Sequence, residues 1–137
     1  MPHVSRHRLS LDQVEQLSQR IVDAAFLTKS REDLRLFFSD LLTTTEKVML
    51  GKRLLIGMMI ERGYKYEDIR QRLGVTDMTI AAVSERLKID GRGLRAVIHR
   101  LERQQDIDAV IEKFGRVVTN FVRGMPKMNY IARRKTT

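Results

Sequence analysis

Cysteine is absent from this chain of 137 residues, and only two prolines are present. The absence of cysteine excludes thiol catalysis, thiolate zinc sites and thiol redox chemistry. No apolar run approaches the roughly 18 residues of a membrane span, and the first ten residues, MPHVSRHRLS, lack the apolar centre of a signal peptide. We therefore expect a cytoplasmic protein that has no membrane partner and, at this length, a single domain.

Residues that build catalytic or metal sites are also scarce. The three histidines are His3, His7 and His99, and none has a nucleophile or carboxylate nearby in a pattern that suggests acid–base chemistry. His3 and His7 have the spacing of two ligands on one helix face, but no third ligand accompanies them. The glycines do not form a phosphate-binding loop. We expect neither an enzyme, nor a metal site, nor a cofactor, and we expect His99 to be a partly exposed surface residue.

Positive charge is in excess, since 26 Lys and Arg against 17 Asp and Glu give a net charge of +9. This balance favours an anionic partner such as DNA, RNA or an acidic surface. Residues 1–8 form a basic N-terminal arm and residues 124–137 a basic, flexible tail, on either side of one helical domain over residues 9–123. Such arms can lie along phosphates or enter a minor groove, although basic tails also serve solubility alone. Their basic residues are Arg6, Arg8, Lys127, Arg133, Arg134 and Lys135.

Helical periodicity runs through most of the chain, which predicts an all-α protein of six or seven helices and no strand. Capping residues mark the first three helix starts at Ser10, Ser30 and Thr43. The predicted helices cover about residues 11–27, 31–42, 44–62, 66–73, 77–88, 94–101 and 107–122. We expect residues 90–93, Asp-Gly-Arg-Gly, to form a loop.

The third helix is apolar on most of its circumference. Such a helix cannot face water on one side, so it lies at the centre of the monomer or in a subunit interface, and we favour the interface. Its apolar residues are Val48, Met49, Leu50, Leu54, Leu55, Ile56, Met58, Met59 and Ile60.

Residues 66–88 have the pattern of a DNA-reading helix-turn-helix, in which two short helices meet at a tight turn. Gly74 supplies the permissive backbone of the turn and Val75 fills the gap between the helices. Inward-facing apolar residues at the expected spacing are Ile69, Leu73, Ile80 and Val83. The alternative is an ordinary helical hairpin with a glycine cap, which needs only the apolar periodicity.

The stretch LLTTTEKVMLGKRLLIGMMIERG, followed by YEDIRQRLGVTDMTIAAVSERL, resembles the Trp repressor superfamily, and within it the YerC/YecD-type branch. The match covers about residues 40–88, and its specific pieces are Leu42-Thr43, Leu50-Gly51-Lys52-Arg53, Leu73-Gly74 and Thr79-Ile80. Members are all-helical intertwined homodimers that bind operator DNA. The resemblance therefore implies this fold, a symmetric dimer and transcriptional regulation.

The same resemblance bears on a small-molecule effector. In the tryptophan-sensing member, a Thr before the long helix, an Arg within it and an Arg on the recognition helix surround the amino acid. Here Thr43 and Arg53 stand at the first two positions, but Ala82 stands at the third and Val83 replaces a glycine. An alanine loses a charge-assisted contact of about 1.5–3 kcal/mol, so we do not expect tryptophan to be the effector. Thr43 and Arg53 form a candidate pocket for another anion, although for Arg53 we favour an exposed or intersubunit ion pair.

The outer face of the second motif helix is poorly suited to hydrogen-bond readout of bases, because its candidate base-facing residues include none of the Arg, Lys, Asn or Gln that make bidentate base contacts. The candidate base-facing residues are Thr76, Asp77, Met78, Thr79, Ala81 and Ala82. Asp77 can accept from a cytosine amine, but we favour a role in capping the helix start. Affinity then depends on phosphate contacts, for which the candidates are Lys65, Arg70, Gln71, Arg72, Arg86 and Lys88.

These features predict a homodimeric helix-turn-helix regulator, a repressor, that binds double-stranded DNA with its two motifs in adjacent major grooves about 34–36 Å apart. Because the recognition helix lacks these base-contacting residues, one alternative stays open. In that alternative the protein is a helical dimer that serves as a protein–protein adaptor or RNA-associated factor and keeps the motif only as packing.

Overall fold

The computed structural model describes residues 8–114. They form six helices and a seventh helical stretch, α7, over residues 107–114, and they contain no strand, as the periodicity predicts. The six helices are α1 (Leu11–Phe26), α2 (Arg31–Leu41), α3 (Thr44–Glu61), α4 (Tyr66–Leu73), α5 (Asp77–Asp90) and α6 (Arg92–Gln104). The predicted arm up to residue 7, the predicted tail, and the end of the last predicted helix lie outside the described residues.

Hydrogen bonds between side chains and backbone amides cap the first three helices at the residues that the sequence pattern predicts. The Ser10 hydroxyl accepts from the Gln13 amide at 3.2 Å, and the Gln13 side chain accepts from the Ser10 amide at 2.9 Å. At the start of α3, the Glu46 amide donates to the Thr43 hydroxyl oxygen at 3.2 Å. In return the Glu46 carboxylate accepts from the Thr43 amide and hydroxyl, and these two hydrogen bonds lower the pKa of Glu46. The Ser30 hydroxyl oxygen accepts from the Asp33 amide at 3.1 Å and caps α2, and the Asp33 carboxylate accepts from the Lys29 amide instead of from Ser30.

The chain divides into two compact units between Lys47 and Val48, inside α3. The first unit contains α1, α2 and the beginning of α3, and none of its described residues is buried. The rings of Phe37 and Phe38 contact each other in this unit, with centroids 5.2 Å apart. The periodic apolar residues of α1 are between 48% and 90% exposed, and we call them the α1 apolar face: Leu11, Val14, Leu17 and Ile21.

The second unit contains the hydrophobic core, and the second half of α3 supplies its largest share. Ile56 and Met59 are fully buried, and helices α4 to α7 contribute to the same cluster. The other buried apolar residues are Leu55, Met58, Ile69, Leu73, Ile80, Val83, Leu87, Ile98, Ile107 and Ile111. The interface interpretation of α3 is therefore wrong for its second half, because the monomer itself covers those side chains. The first half is half-exposed at Val48, Met49 and Leu50.

A single residue, Gly91, connects α5 and α6, so the predicted loop over residues 90–93 is wrong. The two helices turn sharply at this point, and a Cβ atom on Gly91 would lie 2.6 Å from the Cα of Leu87. The packing of α6 on α3 is also close, because a Cβ on Gly57 would lie 3.3 Å from the side chains of Leu94 and Ile98. Composition favoured a loop, but the glycine is needed because the chain at this junction passes close to the backbone of Leu87.

Polar side chains join the end of α3 to α6 and α7. The Arg62 guanidinium donates to the Asp108 carboxylate, and the Tyr64 hydroxyl donates to the same carboxylate at 2.8 Å. These hydrogen bonds lower the pKa of Asp108. Arg95 of α6 pairs with Glu61 at 3.1 Å and also donates to the Leu87 carbonyl at 2.8 Å, so it links three helices.

The close approach at Gly91 can be tested by adding one methyl group. We expect Gly91→Ala to lower the free energy of unfolding by about 1–3 kcal/mol, because the new Cβ must displace the backbone of α5. Gly93→Ala is the matched control, since a Cβ there meets nothing within 4 Å, and it should be neutral or stabilising by less than about 1 kcal/mol. Urea denaturation of both variants at equal protein concentration measures the difference. Equal stability of the two variants would contradict the packing described at the α5–α6 junction.

Candidate nucleic-acid interface

Helices α4 and α5 and the three residues between them form a helix-turn-helix. Gly74 ends α4 in the left-handed region, with φ 61° and ψ 42°, and its amide donates to the Arg70 carbonyl at 3.0 Å. Val75 is half-buried against the core. The four residues predicted to face inward are all buried, namely Ile69, Leu73, Ile80 and Val83. The predicted packing of the motif is therefore confirmed.

The start of α5 differs from the prediction. Thr76 is the capping residue, with extended backbone at φ −85° and ψ 157°, and its hydroxyl oxygen accepts from the Thr79 amide at 3.2 Å. The two threonine hydroxyl oxygens lie 3.0 Å apart. Asp77 is the first residue inside the helix and does not cap it, so the capping role favoured for Asp77 is wrong. A residue with helical backbone at this position directs its side chain away from the free amides of the first turn.

The Asp77 carboxylate instead binds Arg70 across the turn. The Nη1 atom of Arg70 lies 3.0 Å from each carboxylate oxygen. The arginine side chain is 45% exposed and the aspartate side chain 59% exposed. A candidate phosphate contact and a candidate base contact thus neutralise each other. Sequence reasoning missed the pair because the two residues lie on different helices, where the i, i+3 and i, i+4 spacings of ion pairs within one helix do not apply. Only the opposite charges on either side of a short turn hinted at it.

The outer face of α5 is exposed and largely apolar. Met78 is 83% exposed, and Ala81 and Ala82 are exposed beside it. Of the charged residues further along the helix, Arg86 and Lys88 are exposed and make no ion pair within residues 8–114. This face has no cover from the described part of the chain.

The remaining candidate phosphate contacts are Lys65, just before α4, and Gln71 and Arg72 within it. They differ in the interactions that their side chains make. Lys65 is exposed and precedes the helix, without a side-chain cap bond. The Gln71 amide donates to Glu67 at 3.4 Å, and the Arg72 guanidinium lies 5.9 Å from the centroid of the Tyr64 ring. The cation–π contact leaves the charge of Arg72 available to an anion.

An open pocket of about 410 Å³ lies between α3 and the exposed face of α5, and it carries two arginines, Arg53 and Arg86. Its other lining residues are Met49, Met78, Thr79, Ala82 and Val83. Arg53 is exposed and has no ion-pair partner among residues 8–114, so an ion pair within the described chain is not its role. Thr43, the other candidate effector residue, belongs to the first unit and donates its hydroxyl hydrogen to Glu46 at 2.9 Å. Sequence reasoning did not connect Arg53 with Arg86.

Other kinds of site are not found in the described range. Residues 8–114 hold no group of three His, Asp or Glu placed to bind a metal ion, and His3 and His7 lie outside that range. His99 is half-exposed, as expected, and its Nε2 atom lies 3.6 Å from the Glu61 carboxylate. No helix in this range is long and apolar enough to cross a membrane.

The described residues define an all-helical protein with a helix-turn-helix whose second helix presents an exposed outer face. Residues 12–102 match the family model described as "Trp repressor protein". The fold is similar to a crystal structure from Staphylococcus aureus whose protein is assigned to the Trp repressors, with 31% sequence identity and a TM-score of 0.58 over 66% of this chain and 94% of that one. Comparison with curated proteins finds no significant match. The chain belongs to the Trp repressor family of helix-turn-helix transcription regulators, which confirms the resemblance noted in the sequence.

Proposed function

We propose that the protein is a homodimeric, sequence-specific DNA-binding transcription regulator, a repressor, in which the outer face of α5 enters the major groove. One observation carries this proposal. The apolar contacts that hold α4 and α5 together are complete, whereas the opposite face of α5 is exposed and apolar at Met78, Ala81 and Ala82. A helix that served only as packing would not need an outer face free of long charged side chains over its first two turns.

Contacts to bases in this arrangement are mainly apolar. The Met78 and alanine side chains suit thymine methyl groups, and the hydroxyls of Thr76 and Thr79, now bonded to each other, are within the same first turn. Because none of these contacts is bidentate, most of the affinity comes from the phosphate backbone. Among the candidate phosphate contacts, the basic residues that make no ion pair within residues 8–114 are the ones we favour, namely Lys65, Arg72, Arg86 and Lys88.

A charge on the outer face of α5 tests the groove-facing helix. We expect Ala82→Asp to weaken binding to a selected operator by at least tenfold, because a carboxylate in the groove is repelled by phosphates and replaces an apolar base contact worth about 1–3 kcal/mol. Ala96→Asp on the exposed side of α6 adds the same group outside the motif and should bind like the wild type. The assay is a gel shift over a salt series, with operators selected from genomic fragments. A wild-type protein that ignores duplex DNA at low salt would overturn the proposal.

Exposed apolar side chains in each of the two units support the proposed dimer. In a single chain Leu17 and Ile21 of the first unit are in contact with water, and so are Val48, Met49 and Leu50 at the start of the second unit. Exposed apolar side chains on one face of a helix mark an association site. A second copy of the chain suits it, because helix-turn-helix dimers need two motifs one DNA turn apart.

Leu17→Glu tests this interface. Burying a leucine contributes roughly 1.5–3 kcal/mol, so its replacement by a charged residue should raise the dimer dissociation constant at least tenfold. Gln19→Glu adds the same charge on the polar side of α1 and should leave the dimer intact. Sedimentation velocity over a concentration series gives both constants. A monomeric wild type, or equal effects of the two substitutions, would refute the proposed interface.

The pocket between α3 and α5 suits a small anionic effector. Arg53 and Arg86 bring two positive charges to a cavity of about 410 Å³ whose remaining lining is mostly apolar. Ala82 and the buried Val83 lie at the positions where the tryptophan-sensing member has an arginine and a glycine. Neither side chain can pair with a carboxylate, so we infer that the effector, if one acts here, is an anion other than tryptophan.

Tryptophan itself is the direct test of this inference. Titration calorimetry with tryptophan should give no saturable heat, and the amino acid should leave the affinity for operator DNA unchanged. The Arg53→Ala variant serves as the baseline for non-specific heat. Saturable binding by the wild type that Arg53→Ala abolishes would show that Ala82 is tolerated and that the pocket accepts tryptophan.

The lack of bidentate base-contacting residues among the candidate base-facing residues of α5 also favours a second candidate function, that of a helical dimer that acts as an adaptor or binds RNA. Competition between duplex DNA and structured RNA separates the two, because an α-helix can enter the major groove of the B-form duplex but not the deep, narrow groove of A-form RNA. Preferential displacement by RNA would favour the second candidate.

A further inference from the structure

The ion pair between Arg70 and Asp77 joins the two helices of the motif at the end of α5 that we place nearest to DNA. Only the Nη1 atom of the guanidinium contacts the carboxylate, at 3.0 Å from both oxygens. The other nitrogen donors of Arg70 make no hydrogen bond within the described chain. The side chain is therefore oriented and neutralised, yet about half of it is accessible to solvent.

Removal of the carboxylate would leave a strongly attractive site for phosphate. The N-terminus of a helix carries a partial positive charge, and an unpaired arginine beside it adds a full one. A phosphate must compete with Asp77 for that arginine, and the carboxylate is held at contact distance within the same chain. Phosphate contacts carry no sequence information, so this competition acts on binding to DNA of any sequence.

We propose that Asp77 is an intramolecular competitor that withholds Arg70 from the DNA backbone and so limits the sequence-independent affinity of the motif. This inference rests on the proposed DNA-binding function. It changes the role of both residues: Arg70 is not among the phosphate contacts of the wild type, and Asp77 acts on affinity through Arg70 and not through a base. The helix start does not depend on the carboxylate, because Thr76 caps α5.

The test is the salt dependence of binding to a duplex of unrelated sequence. One additional phosphate contact steepens the slope of log K against log salt by about 0.9. Asp77→Asn should therefore bind more tightly than the wild type at low salt. Over a fourfold rise in salt it should lose about threefold more affinity than the wild type loses. In the double variant Asp77→Asn with Arg70→Ala, the slope should return to the wild-type value.

Asp68→Asn is the matched control. It changes the net charge by the same amount on the same motif, and Asp68 is exposed with no ion-pair partner among residues 8–114. Its slope should equal that of the wild type. Unfolding midpoints of all variants check that the motif remains folded.

The other outcomes are distinct. An unchanged slope for Asp77→Asn, or weaker binding by it, overturns the inference while the proposed function stands, and weaker binding would indicate that the carboxylate contacts a base. A steeper slope for Asp68→Asn as well would show a general charge effect and also overturn it. Failure of every protein, the wild type included, to bind duplex DNA overturns the proposed function and the inference together.

Discussion

The helix-turn-helix depends on the burial of the second half of α3. Ile56 and Met59 are fully buried in one cluster with Ile69 and Leu73 of α4 and Ile80 of α5, so a single apolar surface orients both motif helices. Because protein interiors are closely packed, this surface fixes which side of each helix faces inward. The outer face of α5 is exposed as a consequence of that packing and not of its own sequence, since its alanines would be equally acceptable inside.

The two halves of α3 consequently have different roles. Residues 55–59 are buried in the core, whereas Val48, Met49 and Leu50 are half-exposed, like the apolar residues of α1. A stretch that is apolar on all sides thus serves the core at one end and, in the function proposed above, a partner at the other. Gly57, where α6 packs closely, lies in the covered half.

The charged residues of the helix-turn-helix balance one another, so the net positive charge of the chain lies in other segments. Residues 66–88 hold four basic side chains, Arg70, Arg72, Arg86 and Lys88, against four acidic ones, Glu67, Asp68, Asp77 and Glu85. The motif is therefore electrically balanced, and one of these opposite pairs is in direct contact. In the function proposed above, the phosphate contacts of the motif position it on the duplex, and the long-range attraction comes from the excess of +9, which lies outside residues 66–88.

Periodicity, capping patterns and the glycine of the turn were sufficient to predict the helices and the inward side of the motif, and the resemblance of residues 40–88 predicted the family. These signals are local: a hydroxyl three residues before an amide, or a leucine four residues after an isoleucine, acts within one or two helical turns. The ion pair of Arg70, the pocket that Arg53 shares with Arg86, the single-residue junction at Gly91 and the division of α3 were decided only in the tertiary structure. Each depends on which helices come to lie side by side, and a charge or an apolar side chain takes its partner from a neighbouring helix whose position the local spacing does not encode.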